Sequence, residues 1–195
     1  MNLKSVARFL FYFPWTSINR INYYFHNVKI GKKHETEGLI YIRNKGMILM
    51  GDNIRINSSG NANPIGCGTK TYFQVLPGGK IVIGNNVRMS NCAITSGKLV
   101  QIGDNVRIGA GVKIYDTDFH SLVPSERLSS PEGAAKSKEI HIGDNAFIGA
   151  GSYILKGVRI GEAAVVGAGS VVTKCVPAYE IWAGNPARKV GTIDK

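Results

Sequence analysis

Asp116, Asp118 and His120 lie within the short segment IYDTDFHSL, residues 114–122. An imidazole titrates near neutral pH, so His120 is suited to take a proton from a hydroxyl group as a general base. A neighbouring carboxylate can hold the imidazole in the required tautomer and stabilise its protonated form. The segment therefore has the residue types needed to activate a hydroxyl nucleophile. Either aspartate could orient the histidine, and Asp118 is the preferred candidate.

This segment interrupts a regular six-residue repeat. From Ile142 the chain reads IGDNAF, IGAGSY, ILKGVR, IGEAAV, VGAGSV and VTKCVP, with an aliphatic residue leading each hexad. Earlier blocks begin at Ile102 and Ile83, and degraded copies lie near Met50 and Gly31. A period of six matches neither an α-helix nor simple strand alternation. It predicts an all-β fold in which three hexads form one coil, and coils stack about 4.8 Å apart as a parallel β-helix.

The repeat divides the chain into three parts. We expect a basic and aromatic cap segment over residues 1–27, a parallel β-helix over 28–177 and a C-terminal tail over 178–195. A loop over 116–138 should protrude from the β-helix, since the hexads stop there and resume afterwards. A loop of this length inside a compact repeat indicates a functional role.

Cysteine and histidine spacing argues against a disulfide framework and against a metal site. Cys67, Cys92 and Cys175 are odd in number and far apart, which is typical of reduced thiols in a cytoplasmic protein. Only His120 and His141 lie near the repeats, and no H-x4-H spacing of the kind that binds zinc in some β-helix enzymes is present. We therefore expect no metal cofactor. His141 should be packed or exposed on a coil face.

Positive charge is concentrated near the N-terminus of a chain whose formal net charge is +11. Residues 1–34 contain six lysines and arginines, no acidic residue and eight aromatic residues. This pattern fits peripheral contact with an anionic membrane surface, on the inner face of the membrane. The alternative is a capping helix that packs its aromatics on the end of the core. Nucleic acid binding is not expected, since no recognised binding motif accompanies the charge.

The segment VVTKCVPAYEIWAGNPARKVG, residues 171–191, resembles the C-terminal signature of the hexapeptide-repeat acyltransferases. The similarity is strongest to the sugar O-acetyltransferases: the galactoside, maltose and nodulation-factor enzymes and their capsule and lipopolysaccharide relatives. It covers residues 80–193 well and 28–80 loosely. The resemblance implies left-handed coils, acetyl-CoA as acyl donor, and a homotrimer with its active site between subunits.

The same resemblance assigns roles to individual residues. It implies that His120 is the catalytic base and that the Asn91 amide holds the acceptor hydroxyl or the developing oxyanion. The donor contacts that it implies are Ala150 and Ala168 on the pantetheine arm, and Thr173, Lys174 and Arg188 on the nucleotide and its phosphates. Trp182 would pack on the coenzyme or cover the end of the coils. The loop departs from the family pattern in being one residue longer between Ile102 and His120, and in lacking the proline that often follows the histidine.

Together these features predict acetyl-CoA-dependent O-acetylation of a sugar hydroxyl, in the synthesis of capsule, lipopolysaccharide or another polysaccharide. The alternatives within enzymes are serine acetyltransferases, which carry a large helical N-terminal domain, and amino-sugar acetyltransferases, which often carry a Rossmann-like one. A non-enzymatic β-helix scaffold is the alternative outside enzymes. It would have no reason to keep both the interrupted repeat at His120 and the AGNPARK tail. No segment identifies the acceptor sugar.

Overall fold

The structure is a computed structural model that describes residues 3–60, 63, 65, 68–129 and 135–194. Cys67 and residues 130–134 of the predicted loop lie outside these ranges. The helices of the described chain are α1 (Leu3–Phe25) and α2 (Pro124–Ser129), the latter within the predicted loop.

Short strands in the described chain form six successive coils, each contributing one strand to each of three sheets. The strands of the first three coils are β1 (Val28–Ile30), β2 (Glu35–Glu37), β3 (Tyr41–Asn44), β4 (Met47–Met50), β5 (Arg55–Asn57), β6 (Tyr72–Val75), β7 (Lys80–Ile83), β8 (Arg88–Ser90) and β9 (Ala93–Ser96). Those of the next three are β10 (Val100–Ile102), β11 (Arg107–Ile108), β12 (Lys113–Tyr115), β13 (Ile140–Ile142), β14 (Phe147–Ile148), β15 (Tyr153–Leu155), β16 (Arg159–Ile160), β17 (Val165–Val166) and β18 (Val171–Val172). A hairpin of β19 (Glu180–Gly184) and β20 (Ala187–Thr192) follows.

The three sheets are parallel and run the length of the stack. Sheet A has the order β1-β4-β7-β10-β13-β16, and sheet C the order β3-β6-β9-β12-β15-β18. Sheet B has the order β2-β5-β8-β11-β14-β17 and is extended by β19, parallel to β17, and by the antiparallel β20. The prediction of a left-handed parallel β-helix with an N-terminal helix is confirmed.

The aliphatic residues that lead the hexads form the core of the stack. They are stacked in register, as where Ile102 pairs with Ile142 and Ile108 with Ile148. The hexad leads between residues 102 and 172 are all buried: Ile102, Ile108, Ile114, Ile142, Ile148, Ile154, Ile160, Val166 and Val172. Each such burial removes apolar surface from water and contributes roughly 1.5–3 kcal/mol before entropic costs.

The GDN triplets within the hexads form polar ladders at the corner between sheets A and B. The backbone N–H of Asp104 donates to the carboxylate of Asp144 at 2.8 Å, one coil further on. Asn86, Asn105 and Asn145 are linked through their side-chain amides, at 3.1 and 3.2 Å. Asn105 has a φ of 60° and Asn145 a φ of 61°, a left-handed conformation that asparagine tolerates better than most residues. The triplet is therefore a structural requirement of the turn.

Helix α1 caps the N-terminal end of the stack through buried asparagines. The side chain of Asn19 is fully buried and donates to Thr36 Oγ1 at 3.0 Å and to the Gly38 carbonyl at 2.9 Å, while its Oδ1 accepts from the Ile40 N–H at 3.0 Å. Asn22 donates to the Ile40 carbonyl at 2.7 Å. These contacts satisfy backbone groups that the first coil would otherwise leave unpaired at an open end.

The opposite face of helix α1 is apolar and exposed. Phe13, Ile21, Tyr24 and Phe25 are each more than half exposed, so these three aromatic residues do not pack on the core as the capping alternative expected. Tyr23 is buried, and the side chains of Phe9 and Phe11 lie outside those that the structure describes. Among the described residues, neither helix has the length and apolar character needed to cross a bilayer.

His34 is buried beneath helix α1, where its ring meets the edge of Tyr23 at a centroid distance of 5.8 Å. Burial lowers the pKa of His34 to about 4, because the charged imidazolium would lose its hydration in this environment. His34 is therefore neutral at pH 7 in the folded chain and protonates more readily when the chain unfolds.

We predict that this burial makes the protein less stable as the pH falls. Between pH 6.5 and about 4 the unfolded chain binds a proton at His34 that the folded chain does not, so about 3 kcal/mol of unfolding free energy is lost across that interval. Chemical denaturation at pH 7, 6, 5 and 4.5 measures this loss. The variant His34→Leu should lose less stability over the same interval. Equal losses in both proteins would show that His34 does not carry the effect.

Candidate active site

Asp116 anchors the base of the loop that interrupts the repeat. Its side chain is fully buried and accepts hydrogen bonds from Ser96 Oγ at 2.8 Å and from the backbone N–H groups of Gly97, Lys98 and Leu99 at 2.5, 2.8 and 2.8 Å. These donors form the turn between β9 and β10. The carboxylate of Asp116 is thus committed to holding one coil against the next.

The two arms of the loop are joined where they leave the β-helix. Thr117 and Ser137 form an antiparallel bridge, and the Lys138 N–H donates to the Asp116 carbonyl at 2.8 Å. The Asp118 N–H donates to the Lys136 carbonyl at 3.2 Å. The loop therefore leaves and re-enters the stack at one closed point, between sheets C and A.

Asp118 forms an ion pair with Lys156, which follows β15 in the next coil. Both side chains are mostly buried, with 18% of Asp118 and 24% of Lys156 exposed. They line a pocket of about 390 Å³ together with Thr173, Phe119 and residues of the adjoining strands. Lys156 was not singled out in the sequence. The repeat register could have placed it near the start of the loop, because Tyr115 pairs with Leu155 and Lys156 therefore follows beside Asp116. Its pairing with Asp118 depends on the path of the loop, which the register does not specify.

His120 lies on the loop with its side chain exposed. The residue before it, Phe119, has a φ of 64° and packs edge-on against Tyr115 of sheet C at a centroid distance of 5.2 Å. The residue after it, Ser121, donates from its hydroxyl to Glu126 of helix α2 at 2.5 Å. Contacts on both sides thus fix the backbone that presents His120.

Asn91 lies at the corner between sheets B and C and is 2% exposed. Its Nδ2 donates to the carbonyl oxygens of Ser59, at 3.2 Å, and Thr69, both in the segment that joins β5 to β6. Asn91 precedes β9, whereas His120 follows β12, and these strands are parallel neighbours in sheet C. The two predicted catalytic residues therefore come from opposite ends of the sheet C strands.

The predicted pantetheine contacts, Ala150 and Ala168, lie one above the other at the same corner as Asn91. The Gly169 N–H donates to the Ala150 carbonyl at 2.8 Å, one coil apart. A Cβ added to Gly149 would lie 2.5 Å from the backbone nitrogen of Ala168, so only glycine lets these coils approach this closely. Ala150 is half-buried and Ala168 is exposed, which leaves small side chains along an accessible edge.

The predicted nucleotide contacts, Thr173, Lys174 and Arg188, are all exposed. Thr173 and Lys174 follow β18 at the far edge of sheet C from Ala168, while Arg188 lies in the β20 arm of the hairpin. The structure thus places the alanines and Thr173 at the two edges of sheet C, on the C-terminal coils.

Trp182 packs against the end of the hydrophobic core and donates from Nε1 to Glu180 at 2.8 Å. This packing fits one of its two predicted roles, covering the coil end, and contact with the coenzyme stays a prediction. His141 lies on the outer face of sheet A, where its Nε2 is 3.3 Å from Glu139. Hydrogen bonding to His141 and to Lys98 lowers the pKa of Glu139 below its usual value.

Comparison with known proteins gives the same family as the repeat. Residues 139–174 match the family described as the hexapeptide repeat of succinyl-transferase. Nodulation protein L of Rhizobium leguminosarum bv. viciae is 48% identical over 98 residues, which cover 50% of this chain and 50% of that protein. Galactoside O-acetyltransferase of Lactococcus lactis subsp. lactis (strain IL1403) is 36% identical over 133 residues, or 66% of this chain and 62% of that protein.

A solved structure supports the relationship. A hexapeptide-repeat-containing acetyltransferase of Vibrio cholerae O1 biovar eltor, complexed with acetyl coenzyme A, is 33% identical and aligns with a TM-score of 0.57. The alignment covers 63% of this chain and 66% of that one. The chain spans about half the length of the first curated relatives it matches. Repeat, fold and relatives agree, and the chain is similar to the hexapeptide-repeat acetyltransferases.

Proposed function

We propose that this protein is an O-acetyltransferase that moves an acetyl group from acetyl-CoA to a hydroxyl of a saccharide. The observation that carries the proposal is the loop between β12 and β13, which interrupts the repeat and presents an exposed His120 immediately after Phe119, a residue that lines the Asp118–Lys156 pocket. The likeness to a galactoside O-acetyltransferase supports a saccharide acceptor, and the Vibrio relative with acetyl coenzyme A supports the donor. An acceptor made for capsule, lipopolysaccharide or another polysaccharide would suit this activity.

In the proposed reaction His120 removes the proton from the acceptor hydroxyl while the hydroxyl oxygen bonds to the carbonyl carbon of the acetyl thioester. The carbon–sulfur bond then breaks, and the imidazolium returns its proton to the leaving thiolate. The transfer is direct and forms no acyl-enzyme. In the folded chain His120 is exposed to receive both substrates, and the contacts of Phe119 and Ser121 hold its backbone in place.

Asp118 is the carboxylate that we assign to orient His120. Asp116 is unsuited to this role, because its oxygens accept hydrogen bonds from four groups of the turn between β9 and β10. The ion pair with Lys156 keeps Asp118 in place beside the pocket. An ionised Asp118 would stabilise the imidazolium that forms during transfer.

The donor would lie along the C-terminal coils. Ala150 and Ala168 leave the corner between sheets B and C free of bulky side chains, which suits a pantetheine arm with many amide groups. Lys174 and Arg188 are exposed cations, and the guanidinium of Arg188 can bind a phosphate with two parallel hydrogen bonds. Thr173 lies at the edge of the pocket that contains Asp118.

We assign the active site to the boundary between copies of the chain in a homotrimer. Asn91 and His120 come from opposite ends of the sheet C strands, so a neighbouring copy could bring its own corner to His120. The flat sheets of a β-helix suit such packing.

We predict that sedimentation equilibrium gives a mass three times that of the chain. A monomer that is fully active would contradict a shared site.

The exposed face of helix α1 is proposed to rest on an anionic membrane surface in the cytoplasm. Ile21, Tyr24 and Phe25 provide an apolar stripe, and the exposed lysines at positions 29, 32 and 33 provide the positive charge.

We predict that the full chain sediments with phosphatidylglycerol vesicles at low salt, and that the double variant Ile21→Glu with Phe25→Glu no longer binds the vesicles. The matched control is Val190→Glu, an exposed apolar residue of the hairpin. The proposal is contradicted if the unmodified chain, the double variant and Val190→Glu all stay in the supernatant to the same extent.

We predict that His120→Gln lowers kcat/KM for acetyl transfer by about 100-fold to 10,000-fold, the usual contribution of a general base. Affinity for acetyl-CoA should be unchanged, because His120 transfers protons during the reaction and is not among the proposed donor-binding residues. A coupled thiol-release assay with a panel of saccharides measures the rate, and calorimetry measures donor binding. The matched control is His141→Gln, on the outer face of sheet A, which should retain full activity. Activity in His120→Gln equal to that of the control would remove His120 from the mechanism.

A further inference from the structure

A column of arginines runs along the outer face of sheet B. The backbone register places Arg55 of β5 beside Arg88 of β8, and Arg88 beside Arg107 of β11. Neighbouring strands lie about 4.8 Å apart, so three positive side chains rise from one face within roughly 10 Å. Like charges directly opposite one another on adjacent strands destabilise a sheet. These three residues, called here the arginine column, therefore place a repulsive arrangement in the folded chain.

Neutralising groups are placed at the N-terminal end of the column. Glu35 of β2 pairs in register with Arg55, whose guanidinium also lies over the ring of Tyr12 at 4.8 Å and donates to its hydroxyl. Arg107, at the other end, donates to the backbone carbonyl of Asn86 at 2.7 Å. Carbonyl groups bind a guanidinium without cancelling its charge.

The middle of the column has no such compensation. The guanidinium of Arg88 makes no hydrogen bond or ion pair with any residue that the structure describes, and Arg88 is exposed. Burial and the nearby charge of Arg88 both lower the pKa of Arg107, which is a further sign of mutual repulsion. The electrostatics of the column thus favour a bound anion between Arg88 and Arg107.

The column lines a groove of about 360 Å³ that extends to Ser90. Besides the three arginines, its lining includes the polar residues Asn57 and Ser90 and the half-exposed Phe147. Ser90 Oγ accepts a hydrogen bond from Asn57 at 3.1 Å, which leaves the hydroxyl proton of Ser90 for another acceptor. Ser90 immediately precedes Asn91, whose amide the family resemblance assigns to the acceptor hydroxyl or to the developing oxyanion. The groove therefore offers cations and a hydroxyl donor next in sequence to that residue.

We propose that the arginine column is a phosphate-binding subsite, and that the saccharide acceptor carries a phosphate or diphosphate group that binds there. The planar guanidinium donates paired hydrogen bonds that match phosphate oxygens, and a diphosphate can contact consecutive arginines of the column. Assigning the phosphate to the acceptor rests on the proposed acetyltransferase function. Phosphate binding by the column does not depend on it.

Pyrophosphate is the probe for this subsite, titrated calorimetrically into the full chain at low salt. We expect Arg88→Met to weaken binding at least about tenfold, since Met keeps much of the side-chain bulk and removes the charge. Arg159→Met, which removes an exposed arginine from sheet A, should bind like the unmodified protein. Lys174→Met measures how much pyrophosphate binds instead at the proposed donor phosphate contacts.

Thermal unfolding provides a readout that a purely structural role would not give. Without added anion Arg88→Met should unfold at the same or a higher temperature, because a repulsive charge has been removed. Pyrophosphate should raise the unfolding temperature of the unmodified chain and raise that of Arg88→Met less at the same concentration. A lower unfolding temperature of Arg88→Met without anion would show that Arg88 is structural and would overturn the proposal.

Other outcomes would also overturn it. The first is that the unmodified chain does not bind pyrophosphate. The second is that Arg159→Met loses as much affinity for pyrophosphate as Arg88→Met, or that only Lys174→Met loses affinity. The third is that glucuronate binds more tightly than pyrophosphate, which would make a carboxylate the ligand of the column. Acetyl-CoA binding is measured on the same proteins. Donor binding without pyrophosphate binding would end this proposal alone, whereas Arg88-dependent pyrophosphate binding without donor binding would end the proposed acetyl transfer.

Discussion

The register between successive coils is the constraint on which the rest of this structure depends. Each parallel strand pairs with its counterpart one coil away, so the leading aliphatic residue of every hexad stacks on the one before it. A shift by one residue would turn the buried side chains outward. The same register stacks whatever lies on the outer faces and corners. It builds the asparagine ladder through Asn105, the small-residue edge at Ala150 and Ala168, and the arginine column.

That register also explains how a local interruption becomes a site. The loop after β12 leaves the stack at a corner closed by Asp116, whose buried carboxylate holds the turn of the preceding coil. The loop can therefore present His120 without disturbing the hydrogen bonds of the coils on either side. Asp118 is held by Lys156 of the following coil. Two aspartates separated by one residue thus have different environments, one structural and one beside the pocket.

The sequence was sufficient for the fold because a six-residue aliphatic period has few structural solutions. It was less informative where a contact joins residues distant in the chain. Burial of Asp116 depends on the turn at residues 96–99, and the partner of Asp118 lies 38 residues further along. The insertion between β5 and β6 hides the repeat spacing of Arg55 from Arg88, so the arginine column becomes evident only from the sheet register. The buried role of Asn19 depends on where helix α1 lies on the first coil, which no periodic pattern specifies.

Acetyl transfer requires, before anything else, that the folded chain bind the donor. Calorimetric titration of the full chain with acetyl-CoA is therefore the most direct test of the proposed function. Saturable binding in the micromolar to millimolar range, with one site per chain, is the result predicted by the exposed cations Lys174 and Arg188 and the open corner at Ala150 and Ala168. No detectable binding at any accessible concentration would contradict acetyl transfer, and would leave a β-helix whose loop and arginine column serve another purpose.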